Sequence, residues 1–112
     1  MRQNWIMLFL ALLLLVAVTI TYENHFQNGF HFDDQHTIVQ NIFIRNIANI
    51  PLFFRDATTT SNYPPNQAYR PIVTATTAFD YWMGRGLEPF YFHLTTFVLF
   101  LVQGMFMYFL YL

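Results

Sequence analysis

The sequence predicts an all-α membrane protein, two transmembrane helices joined by an extracytoplasmic loop that carries short amphipathic interfacial helices. Three observations predict it. Apolar blocks occupy both ends of the chain, Trp5 to Ile20 and Leu94 to Leu112. All six acids, all four His and every Arg except Arg2 lie between those blocks. The composition, 55% hydrophobic and 21% aromatic, is too apolar and too thinly charged for an ordinary small soluble domain.

The first transmembrane helix is expected over residues 1–22. A helix rising ~1.5 Å per residue needs ~20 apolar residues to cross a ~30 Å hydrocarbon core, and this block with its flanks approaches that length. Trp5 and Tyr22 bracket the run as interfacial aromatics do. A cleaved signal peptide is the alternative, since Met1-Arg2 supplies a positive start, but no small-x-small cleavage site follows Thr19. Arg2 places the N-terminus on the cytoplasmic side and the loop outside, in a bacterial inner membrane or the endoplasmic reticulum.

The loop is expected over residues 23–93, with helices at about 37–44, 47–55 and 71–83. Asn28-Gly29 reads as a turn. Val39, Phe43, Ile47, Ile50 and Phe54 recur at helical spacing, interrupted by Pro51, which divides them into two short helices, the second capped by Asn46. Asp56 to Ala68, rich in Thr, Asn and Pro, reads as the flexible segment. The next helix opens on Pro71 and stops before Gly84. Its wheel places Ile72, Ala75, Phe79, Trp82 and Met83 opposite Thr74, Thr77 and Tyr81, which suits either the interface plane of a membrane or the cover of a protein core. Gly86 makes a turn, Pro89 opens the second apolar helix, and residues 94–112 form a second transmembrane helix that is apparently truncated.

Five cations, all Arg, against six acids leave a net charge of -1, which supplies no basic face for nucleic acid. The absence of Cys removes disulfides and thiolate chemistry. The residues that suit chemistry are polar and few. Asp33-Asp34, flanked by His31 and His36, reads either as a general base towards a hydroxyl or as a solvated turn and helix cap. In an extended segment His31 and Asp33 would share a face, and with Asp34 and His36 they could hold a divalent metal, although no spacing matches a specific metal motif. Arg70, between Tyr69 and Pro71, is a phosphate ligand or the partner of an acid such as Asp80. His93 caps the second span or meets lipid headgroups.

Phe30-His-Phe-Asp33-Asp34-Gln-His-Thr-Ile38-Val-Gln-Asn41, Ile47-Ala-Asn-Ile-Pro51-Leu-Phe-Phe54, Tyr69-Arg-Pro71 and Glu88-Pro-Phe-Tyr-Phe-His93-Leu resemble, in this order, the N-terminal region of a GT-C glycosyltransferase group. The group comprises the transmembrane and tetratricopeptide-repeat-containing O-mannosyltransferases and their bacterial relatives. The resemblance implies a multi-pass enzyme that moves a sugar, mannose by the family pattern, from a polyprenyl-phosphate donor to a protein hydroxyl with inversion. It implies Asp33 as catalytic base, Asp34 as its support, and Arg70 and His93 beside the lipid phosphate. The chain departs from the pattern after His93, with Thr96 and Phe100 where an Asn and a His often stand. The partners expected are membrane lipid, the lipid-linked sugar donor, a protein acceptor and the remaining part of the same chain, without which these residues alone are expected to be inactive. The alternative is a non-catalytic two-span membrane protein whose aromatic loop binds a partner or lipid.

Overall fold

A computed structural model of the chain describes residues 2–112. Met1, and the side chains of Arg2 and Gln3, lie outside the described residues, and with them the charge on which the expected orientation rests. The described residues are helical and contain no strand; four α-helices are linked by short 3-10 and π turns. The whole measures 56 × 29 × 24 Å.

Helix α1 (Arg2–Thr21) is apolar on every side and its Asn4–Thr21 stretch buries none of its residues. Its two threonines satisfy themselves, Thr19 and Thr21 each donating a hydroxyl to the carbonyl four residues back at 2.8 Å. The helix thus shows its surroundings almost nothing polar, and it is long enough to cross a hydrocarbon core. Helix α4 (Pro89–Tyr111) is the second helix of that kind. It opens on Pro89, as the sequence suggests, because proline's fixed φ and missing N–H fit the first helical turn. Aromatic contacts join the loop ends of the two helices: Tyr22, one residue beyond α1, sets its ring against Phe97 and Phe100 of α4, and the Glu23–Gln27 turn packs Phe26 on Phe97 with ring centres 5.3 Å apart.

The expected helices at 37–44 and 47–55 are broken into smaller pieces. A π turn spans Gln35–Val39, 3-10 turns span Phe43–Arg45 and Ile47–Asn49, and α2 is only Ile50–Phe53. Asn41 is the cause. It is fully buried, its amide Nδ2 donates to the carbonyls of Thr59 and Thr60, and its Oδ1 accepts the Phe43 N–H, so the helical ladder stops there. Asn46 does cap the next turn, accepting the Ala48 N–H at 3.0 Å, and Pro51 falls where α2 tolerates it. The buried positions are accordingly Ile38, Ile44 and Phe53 and not the helical row that begins at Val39; Phe54 is half exposed. With Ala78 of α3 and Phe92 of α4 these three form the small core.

The Asn28-Gly29 turn is also displaced. Asn28 is extended, and the chain reverses at Phe32, whose φ is 50°. Residues 56–68, expected to be flexible, contain the best-buried polar segment. Asp56 accepts from the backbone and the hydroxyl of Thr58, and behind that cap Thr59, Thr60 and Ser61 are buried against Asn41.

Helix α3 (Pro71–Gly84) turns the bulkiest residues of its predicted apolar face outward. Ile72, Val73, Phe79 and Trp82 are exposed, whereas Thr74, Ala78 and Asp80 are buried. The inward threonines need no polar partner from elsewhere, since Thr74 donates to the Arg70 carbonyl and Thr77 to the Thr74 carbonyl. Ala75, on the predicted apolar face, packs against the small core, so that face is divided between the core and the exterior. Its end differs from expectation as well: Gly84 is the last helical residue, and Arg85 takes the left-handed position with φ 54°. Gly84 serves close approach instead, because a Cβ there would lie 2.8 Å from the Tyr91 ring of α4.

Candidate functional site

The turn at residues 31–36 is where the sequence-predicted chemistry gathers. Phe32 is in the left-handed region, which an aromatic residue adopts at a cost of roughly 1–2 kcal/mol, and a π turn follows immediately. Strain of this kind persists where surrounding contacts hold it and clusters at working sites. Here it sends the Phe32 ring into the open, 95% exposed, and presents Asp33 beside it with a side chain 85% exposed.

Asp33 is anchored by its backbone, whose carbonyl accepts from the N–H and hydroxyl of Thr37. Its carboxylate is steered by His36, with Nε2 3.4 Å from Oδ1. The His36 ring is itself fixed. Its Nδ1 lies 3.0 Å from the Ser61 hydroxyl, and its Nε2 lies 3.3 Å from the Asn66 amide. Ser61 also accepts the Tyr63 N–H at 3.0 Å and lies 3.4 Å from the Tyr63 carbonyl. The series Ser61, His36, Asp33 has the residue types of a hydrolytic triad, but Ser61 is fully buried and cannot reach a substrate. Only Asp33 faces outward.

Asp34 has a different position. Its Oδ2 turns back to accept the His31 N–H at 3.1 Å, which closes the turn under Asp33. The bend at Phe32 replaces the extended segment in which His31 and Asp33 would have shared a face. Among the described residues no three His, Cys, Asp or Glu side chains converge on a point a metal could occupy.

Arg70 and His93 are not brought to this turn by any hydrogen bond or ion pair among the described residues. Arg70 precedes α3 with an exposed side chain, and its carbonyl accepts from the N–H and hydroxyl of Thr74. It does not pair with Asp80, since ten helical positions separate them by about 15 Å. Asp80 is buried against α4 and accepts from Thr95 instead, and burial raises its pKa above the ordinary carboxylate value. His93, in the second turn of α4, neither caps the helix nor lies open. Its Nε2 donates to the Asn28 carbonyl at 2.8 Å, and its ring lies 4.5 Å from that of His25.

No family model, no curated protein and no solved structure matches this chain. The functional reading rests on its residues and their geometry. Sequence reasoning singled out His36 only as a neighbour of the acids, and missed Ser61 and Asn66, which lie 25 and 30 positions away from it. The one available signal was their polarity beside Pro64-Pro65, a pattern that by itself denotes a loop.

Proposed function

We propose that this chain is the membrane-embedded N-terminal part of a GT-C-type glycosyltransferase, with Asp33 as the base that receives the acceptor's proton. One observation carries the reading: Asp33 is an exposed carboxylate at a strained bend, steered by an immobilised histidine, in a loop between two helices each long enough to cross a bilayer. In the proposed step the acceptor hydroxyl gives its proton to Asp33 while its oxygen attacks the anomeric carbon. The bond from that carbon to the phosphate oxygen breaks, releasing polyprenyl phosphate and inverting the anomeric centre. Asp34 holds the turn and Arg70 faces the phosphate. The motifs quoted above, in the same order along the chain, also support the reading.

In the intact protein Asp33→Asn should lower sugar transfer from a polyprenyl-phosphate donor by roughly 10²–10⁴-fold, the range for loss of a general base. Transfer at the wild-type rate removes Asp33 from that role.

A second reading, a non-catalytic two-span membrane protein whose loop binds lipid or a partner, is favoured by a different observation, the outward apolar face of α3. An intact Asp33→Asn protein with unchanged function, set against lost function when Phe79 and Trp82 are made polar, would select it.

A further inference from the structure

We infer that the groove between the Phe43–Asn49 turns and the C-terminal end of α3 holds the phosphate of an anionic phospholipid headgroup between Arg45 and Arg85. The inference rests on α1 and α4 spanning the bilayer. The groove has a volume of about 590 Å³, and its walls include Arg45, Ile47, Tyr81, Trp82, Met83 and Arg85. Two cations therefore face a space with an aromatic and apolar rim, and no acid lines it. The nearby acids point elsewhere: Asp80 is buried towards Thr95, and Glu88 lies beyond the turn, outside the groove. Among the described residues the only ion pair is that of His36 with Asp33, so neither arginine is neutralised within the chain.

The Arg45 side chain and the Arg85 backbone are each held in place. Arg45 donates from Nη2 to the Val39 carbonyl at 3.1 Å, which fixes its guanidinium and leaves other N–H groups free. Arg85 occupies the left-handed position after α3, where glycine would be the relaxed choice. An arginine kept there against backbone strain puts its charge at the mouth of the groove. A planar guanidinium can give two parallel hydrogen bonds to phosphate oxygens, and a pair of them can grip one phosphate from two sides.

The position indicates the source of that phosphate. Arg85 is four residues before Pro89, so the groove lies within about 14 Å of the start of the apolar helix α4. Trp82, 57% exposed, borders the groove and continues into the outward face formed by Ile72 and Phe79. An aromatic belt with arginines beside it is the arrangement that suits the headgroup level of a bilayer. A soluble anion would meet the arginines and leave the apolar rim in water; an anionic lipid meets both. The site is separate from Arg70, which stands at the other end of α3 about 22 Å away along the helix.

The test uses the full chain carrying Trp5→Phe, so that Trp82 is the only tryptophan, reconstituted in phosphatidylcholine vesicles. Quenching by a small admixture of brominated phosphatidylglycerol is compared with quenching by the same admixture of brominated phosphatidylcholine. At low salt the anionic lipid should be enriched beside Trp82 roughly fivefold for each arginine. Arg45→Gln with Arg85→Gln should bring the two lipids to parity, while Arg55→Gln, an exposed arginine outside the groove, should leave the preference intact. Arg85→Gly provides a variant that relaxes the backbone yet still loses much of the preference, so a folding defect would not be mistaken for lost binding. Equal quenching in the parent protein overturns the site, as does an Arg55→Gln loss matching that of the groove variants. Removal of the preference by inorganic phosphate added to the buffer replaces the lipid with a free anion and overturns the assignment. A carbonate wash separates the two levels of the argument: chain retained with equal quenching defeats the headgroup site alone, and chain released defeats the spanning reading beneath it.

Discussion

Helices α1 and α3 solve opposite problems. α1 is apolar all round and buries nothing in the Asn4–Thr21 stretch, so it has no preferred face. α3 has two faces and places them the reverse way from a helix on a water-soluble core, with Thr74 and Ala78 inside and Ile72, Phe79 and Trp82 outside. In water both arrangements waste the burial of large side chains, worth ~25 cal/mol per Å² of apolar surface. Against lipid neither does, since hydrocarbon accepts those side chains and penalises the polar ones. The inverted helix is therefore the more informative of the two. An all-apolar helix can be a signal sequence or a span; a helix that turns threonines inward and a tryptophan outward is the arrangement that the proposed membrane setting would favour.

The difference can be broken experimentally, beginning with α1. A charge at its centre, Leu13→Arg, should cost about 2.5–3.5 kcal/mol of insertion free energy, read as the inserted fraction in a membrane-integration assay. Failure of the parent α1 to insert in the same assay would mean that it does not use hydrocarbon as its solvent. On α3 two adjacent positions should respond in opposite ways. Ala78, fully buried, has no room to grow, and Ala78→Leu should destabilise by roughly 1–3 kcal/mol in denaturant titrations of the detergent-solubilised protein. Phe79→Gln, one residue on and 43% exposed, should stay within about 0.5 kcal/mol. Equal losses would show that the outward face is covered by protein after all.

The smallest effect is electrostatic and lies where α3 meets α4. Burial raises the pKa of Asp80, so the folded protein holds that proton more tightly than the unfolded chain does. Acidification through the raised value should therefore favour the fold, and the cost of the buried charge is fully present only above it. Asp56 has the opposite sign: the Thr58 hydroxyl and N–H lower its pKa, and its contribution fades as pH falls through that lowered value. Melting temperatures of Asp80→Asn and Asp56→Asn between neutral and acidic pH should diverge from the parent in opposite directions. Parallel curves would remove Asp80 from the buried contact.

The candidate turn shows how far a sequence can be read. Asp33 and Asp34 were legible as an acidic pair near the first apolar block because like charges side by side in an aromatic stretch are conspicuous. Their division of labour was not, because it depends on Phe32 adopting φ 50° and on a ring held by Ser61 and Asn66 across the loop. Local patterning also failed at residues 37–55. Asn41 pays for its burial with hydrogen bonds to Thr59 and Thr60, long-range partners that helical spacing cannot register.

The sequence by itself determined the two long apolar helices, the proline that opens each of α3 and α4, the asparagine cap at residue 46, and the concentration of charge between the ends. Each follows from the covalent nature of a residue and its near neighbours: side-chain hydropathy over some twenty positions, a ring that fixes φ, an amide within reach of the next N–H. Only the tertiary structure decided which face of α3 turns outward, which of the two acids is presented, and that Arg45 and Arg85 share a groove. Those outcomes depend on competition between contacts distant in the chain, and on where buried polar groups find partners.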